Sequence, residues 1–347
     1  MGWVDAAKGI SIFLVVMVHA TDWTGYVGVE PTPLIEAFNG AAVGVRMPLF
    51  FLMSGLFAGK WIAVPWKALV NGKLALLVWV FLLWQPVMFA YKYLAGLMLP
   101  GQEDSSLMAH LVRMVASPVR PNAELWFLWA LVVFFVGAKL LQKVPAWVIL
   151  VASAGLSLGW SAIAQPALGE NMLRLLGPGL GAFPMYFVFF MAGILLKGQV
   201  IAAVSRVSWI AGLAGFTAWL VVNRLLEASG GFFGRLFVIQ ILGAVGGLLA
   251  AVVLQHVQPL RRLGTLTLPV YVSHTFFVVL MACAIELLDL EITGHFEAAT
   301  PWFIAVVAVL LGLGLHRVAA SSFLFNNPQW FQSWSRGRHL VGARHSS

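Results

Sequence analysis

The chain alternates long apolar runs with polar breaks. The runs are roughly 17–25 residues long, the length a helix needs to cross the hydrocarbon core of a bilayer. Ten are predicted: Gly9–Tyr26, Ala41–Ile62, Leu74–Leu99, Glu124–Leu141, Trp147–Ala164, Leu180–Leu196, Trp209–Leu226, Phe232–Leu254, Leu266–Leu288 and Trp302–Leu315. The breaks are short, except Pro100–Asn122. A polar, basic stretch, Ser321–Ser347, follows the last run. The pattern predicts an all-α polytopic transmembrane helical bundle over residues 1–320 and a basic cytoplasmic tail over 321–347.

Composition strengthens this reading. Hydrophobic residues make up 61% of the chain and charged residues 10%, against about 25% charged in a soluble domain. A chain of 347 residues with so little polar surface is one bundle with lipid as its solvent, not two or three soluble domains. Its 15 Trp and 25 Phe suit lipid-facing surfaces and interfacial anchors. A single cysteine, Cys283, rules out an internal disulfide and any cysteine-based metal site. The stretch Lys8–Val18 has some character of a signal peptide. Asp5 before it, His19, Thr21 and Asp22 after it, and the lack of a small-x-small site favour a retained first helix.

Net charge is +8 and the pI is near 9.9. In a soluble chain this would raise nucleic-acid binding. Here the basic residues sit in short loops, so no nucleic acid is expected. One set of loops and ends holds Lys8, Lys60, Lys67, Lys73, Lys139, Lys143, Lys197, Arg206, Arg261, Arg262, Arg317 and the tail arginines, with Asp5 their only carboxylate. The opposite set holds the others, among them Asp22, Glu30, Glu36, Glu103, Asp104 and Glu124. This positive-inside asymmetry puts both termini in the cytoplasm, in agreement with an even number of helices.

Ionisable residues inside spans cost about 2.5–3.5 kcal/mol each on insertion scales and are candidates for function. They are few: His19, Arg46, Lys92 and His274, with Lys8, Asp22 and Glu124 at helix ends. Lys8 and His19 are separated by ten residues on helix one. Helical geometry points both the same way, about 16 Å apart along the axis. Asp5, Ser11 and Asp22 share that side within roughly 120°. This stripe is expected to face the bundle interior or a water-filled cavity. Lys8 is alternatively a topology anchor, and His19 a helix–helix hydrogen-bonding residue. Asp22, one turn beyond, is interfacial or orients the imidazole.

Arg46 lies near the outer end of helix two, at a depth expected to match His19, or it snorkels to the headgroups. Pro48 releases a backbone carbonyl there, and Ser54 and Gly55 allow close helix approach. Glu124 either complements the dipole of helix four or helps to hold His19. His274, about two turns from the cytoplasmic end of helix nine, is expected nearer the level of Lys8 and is grouped with it; a packing histidine is the alternative. Lys92, between Tyr91 and Tyr93, is expected to snorkel outward. No Walker A, HExxH, CxxC or EF-hand pattern occurs, and no metal is expected. The stretches GPGLG and GAVGG read as packing sites.

The spacing of Lys8 and His19, with Asp5 before them, resembles the helix-one signature of acyltransferase family 3, an Arg or Lys, ten residues and a His. MPLFFLMSG, ELWFLWAL and LPVYVSH resemble the family's later landmarks, in order. The chain has Lys8 where many members have Arg and Glu124 where many have His, and no appended hydrolase-like domain is expected. The resemblance implies transfer of an acyl group, often acetyl or succinyl, from cytoplasmic acyl-CoA to a hydroxyl of an envelope glycan or glycolipid in the inner membrane. No permanently bound cofactor is implied. In that frame His19 is general base or transient acyl carrier, Asp22 or Glu124 holds it, and Arg46 faces an oxyanion. Lys8, with His274, belongs to the donor site. A transporter or flippase using the same stripe is the competing reading, and a structural scaffold the third.

Overall fold

A computed structural model describes residues 1–101, 106–121, 123–319 and 323–328. The described residues are 84% helical and contain no strand. Ten of their helical spans are long and apolar enough to cross a membrane, as the runs predict. The predicted tail over 321–347, and the loop charges Glu103 and Asp104, lie almost entirely outside the described residues.

In chain order the helices are α1 (Gly2–Gly25), α2 (Pro33–Ala63), α3 (Trp66–Leu69), α4 (Ala75–Met98), α5 (Leu107–Ala116), α6 (Trp126–Leu140) and α7 (Ala146–Gly159). They continue with α8 (Gln165–Leu195), α9 (Lys197–Ser205), α10 (Trp209–Ala228), α11 (Arg235–Leu254), α12 (Gln258–Thr265), α13 (Thr267–Leu287) and α14 (His295–Ala319). Several run past their apolar runs at one or both ends. The hydropathy pattern marks the lipid-buried stretch, while Asp5 and Lys8 extend α1, and Glu36 and Asn39 extend α2, into the polar interface. Pro33 opens α2 at the position where a missing N–H costs nothing.

The long break Pro100–Asn122 holds structure of its own. Ser106 caps α5 by accepting from the Ala109 N–H at 3.5 Å. Met108, Val112 and Val115 on α5 are exposed, so the short helix presents an apolar face suited to the membrane interface.

Small residues bring the central helices together, since in lipid close packing replaces the hydrophobic drive. Gly55 of α2 and Gly193 of α8 meet where a side chain on either would strike the other helix's backbone. Gly264 of α12 lies against the Asp5 carbonyl of α1 in the same way. Pro48 remains inside α2 and deprives the Gly44 carbonyl of its helical donor. On that turn Gly243 of α11 packs. At the basic end, buried Lys139 donates to the Ile62 and Val64 carbonyls at 2.7 and 2.8 Å, closing the C-terminus of α2.

Candidate active site

Two cavities lie toward opposite ends of the bundle. The one at the basic end measures about 270 Å³. Lys8 of α1, Ser54, Phe57, Lys60 and Trp61 of α2, and Lys73 line part of it. Lys73 sits in a π-helical turn, Val70–Leu74, between α3 and α4. Such a turn re-aims one residue of a continuous helix, and here it brings a third ammonium group to the cavity. Lys8 Nζ is 4.6 Å from the centre of the Phe57 ring, and Lys197 Nζ is 6.0 Å from it. Among the described residues, no carboxylate lines this cavity. Three cations with low-dielectric walls focus a field that concentrates anions.

The second cavity, about 240 Å³, is lined by Val15, Val18 and His19 of α1 and by Val43, Arg46 and Met47 of α2. Glu124, Trp126, Phe127, Tyr186 and Tyr271 complete it. Arg46 reaches the depth of His19, as its place on an antiparallel helix predicts. Its Nη1 is buried without a hydrogen-bond partner, so a donor stands ready for an acceptor atom that enters.

Glu124 is held on both oxygens. Tyr91 Oη donates to Oε2 at 2.9 Å, and Lys92 Nζ to Oε1 at 3.1 Å. Ala123 before it has φ 47°, a left-handed conformation that costs a non-glycine residue energy. It opens the short 3-10 turn Ala123–Leu125, in which Glu124 is buried. The Tyr271 hydroxyl donates to the Glu124 main-chain carbonyl.

Lys92 corrects its expectation. It does not snorkel outward: besides Glu124 it lies 4.5 Å from the centre of the Trp23 ring. A buried carboxylate and an aromatic face draw it in more strongly than headgroups draw it out. Asp22 Oδ2 lies 3.9 Å from His19 Nδ1, an ion-pair distance but too long for a hydrogen bond. Ser11 turns its hydroxyl back to the Ala7 carbonyl of its own helix at 3.1 Å and leaves the polar stripe.

His274 needs the larger correction. It does not lie near Lys8: its ring centre is 5.3 Å from that of His19. The reason is α12, whose Gly264 already packs beside Asp5 of α1. Helix α13 therefore starts above the level assumed from the loop charges, and its eighth residue reaches the upper half of α1. His274 Nδ1 faces the Tyr271 and Val270 carbonyls at 2.6 and 3.2 Å. Two acceptors require a hydrogen on Nδ1, which leaves Nε2 to accept from the Thr275 hydroxyl at 3.0 Å. Both nitrogens are thus engaged, and the ring lies beside His19 rather than beside the lysines.

Sequence reasoning missed Lys60, Lys73, Tyr91, Tyr186 and Tyr271. The lysines were absorbed into the topology pattern. For the tyrosines a signal existed: the chain has only five, and three of them surround His19 and Glu124.

A third concavity, about 490 Å³, adjoins the second. It is lined by Trp126, Trp160, Tyr186 and the Gly177–Pro178 break in α8, among others. Trp126 and Tyr186 belong to both.

The family model of the acyltransferase domain of acyltransferase family 3 matches residues 1–316. The chain belongs to this family. An inner membrane protein, YcfT of Escherichia coli strain K12, is 24% identical over 371 residues, covering 94% of this chain and 96% of that relative. No solved structure matches the chain. Family 3 membership makes the protein a multi-pass membrane acyltransferase, and the transporter and scaffold readings give way to it.

Proposed function

We propose that this family 3 acyltransferase moves a short acyl group, acetyl foremost, from cytoplasmic acyl-CoA to a hydroxyl of an envelope carbohydrate or glycolipid. Its membrane is then the cytoplasmic (inner) one, as the name of the Escherichia coli relative also suggests. One observation carries the reading: a lysine-walled cavity and a histidine-bearing cavity stand back to back, with Phe127 and Tyr271 lining both. The first suits the phosphates of CoA, with Trp61 and Phe57 as apolar walls beside them. The second suits the thioester carbonyl and the attacking hydroxyl. The aromatic concavity around Trp126 and Trp160 gives the acceptor a way in from the other side.

In this mechanism His19 takes the proton from the acceptor hydroxyl, and the freed oxygen attacks the thioester carbonyl. The negative charge that forms on the carbonyl oxygen is met by the unpartnered Arg46 Nη1. Collapse of the tetrahedral adduct breaks the C–S bond, and the sulfur leaves with the proton held by His19. The products are an acyl ester and free CoA. The ring of His274 and the carboxylate of Glu124 hold the imidazole's surroundings; Asp22 stands in ion-pair range of it.

The experiment uses the full-length protein in lipid nanodiscs with labelled acetyl-CoA and a glycolipid extract, scored for CoA release and label transfer. The proton-transfer role of His19 fails if His19→Ala inserts normally and still transfers label at the wild-type rate.

A further inference from the structure

Phe127 and Tyr271 are the two side chains that wall both cavities. Their ring centres are 5.3 Å apart, edge to face at 62°. Both are almost fully buried. They are the side chains that stand between the lysine side and His19.

The two residues are held differently. Tyr271 is tied at both ends: its hydroxyl donates to the Glu124 carbonyl, and its own carbonyl accepts from His274 Nδ1. The Phe127 side chain has no polar tether. Its ring rests on apolar contacts, stacked on Phe50 at 4.5 Å and tilted against Phe51 at 4.7 Å. It also stands in the first turn of α6, at the rim of the helix. A side-chain rotation of Phe127 therefore opens the wall at the cost of dispersion contacts only, whereas rotating the Tyr271 side chain breaks its hydrogen bond to the Glu124 carbonyl. Beyond the wall the cavity carries apolar side chains, Val15, Val18, Val43 and Met47, beside His19 and Arg46.

Resting on the acyl-transfer reading above, we propose that Phe127 is the movable leaf of a partition between donor and reaction cavities, and that the opening it yields against the fixed Tyr271 sets the size of acyl group the enzyme accepts. The acyl end passes the leaf, the apolar side chains receive its carbons, and the leaf closes against the pantetheine arm. Closed, it also keeps water of the donor side from the reacting carbonyl. Phe127 is a specificity-determining residue in this scheme; it exchanges no proton or acyl group.

The test measures CoA release by the nanodisc protein from acetyl-, butyryl- and hexanoyl-CoA. Phe127→Ala is expected to raise the hexanoyl-to-acetyl ratio of kcat/KM by about tenfold or more, the scale on which pockets discriminate one or two methylenes. It should also raise CoA release without acceptor. Phe127→Trp, which narrows the opening, is expected to lower turnover of butyryl-CoA more than of acetyl-CoA. Should Phe127→Ala fail to assemble, Phe127→Leu replaces it with the same expected direction. Unchanged donor ratios in the folded variants overturn the partition while leaving acyl transfer intact. A wild-type protein that releases CoA from no donor overturns acyl transfer itself and the partition with it.

Discussion

The two cavities on either side of Phe127 are built on opposite principles. Among the described residues, the donor-side cavity has three cations, no carboxylate and two flexible lysine side chains from a helix end and a π-helical turn. The reaction-side cavity is surrounded by groups that hold one another, Lys92 on Glu124, Glu124 also on Tyr91, His274 on two carbonyls and a hydroxyl, and Arg46 keeps one nitrogen unpartnered among them. A cavity that only binds an anion can leave its charge uncompensated until the anion arrives. A cavity that moves protons between named atoms must fix their geometry beforehand, because misplacement is costly in rate. The contrast predicts that mutations on the reaction side cut turnover steeply, and that mutations on the donor side weaken affinity mildly.

The steepest loss belongs to His19. His19→Ala is expected to lower kcat by about 10²–10⁴, the usual worth of general-base assistance, with CoA affinity kept. A variant that loses affinity instead would erase the difference between the cavities. Next comes Arg46. Arg46→Gln shortens the side chain and removes its charge, and a lost oxyanion donor costs about 10²–10³ in kcat. Comparable losses in kcat and in CoA binding would move Arg46 to the donor side of the partition.

Glu124 tests the held side through stability. Glu124→Ala leaves Lys92 without its carboxylate and Tyr91 without its acceptor. Breaking a buried pair from one side costs about 3–5 kcal/mol. Because Lys92 keeps 27% exposure, the loss should fall at the lower end, read as a drop in Tm of the purified protein. The double variant Glu124→Ala with Lys92→Met should recover part of it, since no charge is then left unpaired. A single variant as stable as wild type would show that the network is not holding this end of the cavity.

Much of this was legible in the chain, for identifiable reasons. Apolar runs of bilayer length gave the ten spans because lipid demands them at every depth. The shared side of Lys8 and His19 followed from helical periodicity alone, and each now lines a cavity. What failed needed knowledge of neighbours. The level of His274 depended on α12 wedging against α1 at Gly264, a contact set by tertiary packing and invisible in hydropathy. Lys92 was read by its place near a helix end, although its position is decided by Glu124, thirty-odd positions on. Lys73 was hidden because a π-helical turn, which breaks the 3.6-residue period, aims it inward.

The mildest effect is expected on the donor side, where it is also the most diagnostic. Lys60→Gln and Lys73→Gln remove one ammonium group each from the cavity and leave its walls in place. Neither lysine makes a hydrogen bond or an ion pair among the described residues, so neither loss strands a partner. Each should raise the KM for acetyl-CoA roughly two- to fivefold at low salt, as for a single partly exposed charge facing an anion. Lys8→Gln should act in the same direction. The effect should shrink when ionic strength rises, because salt screens charges that are not in direct contact. It should also be smaller for a short acyl-pantetheine, which lacks the nucleotide phosphates, and kcat should stay put. Equal losses with acyl-pantetheine and acetyl-CoA would mean that these lysines serve the bundle's topology alone, and the donor phosphates would have to be sought elsewhere.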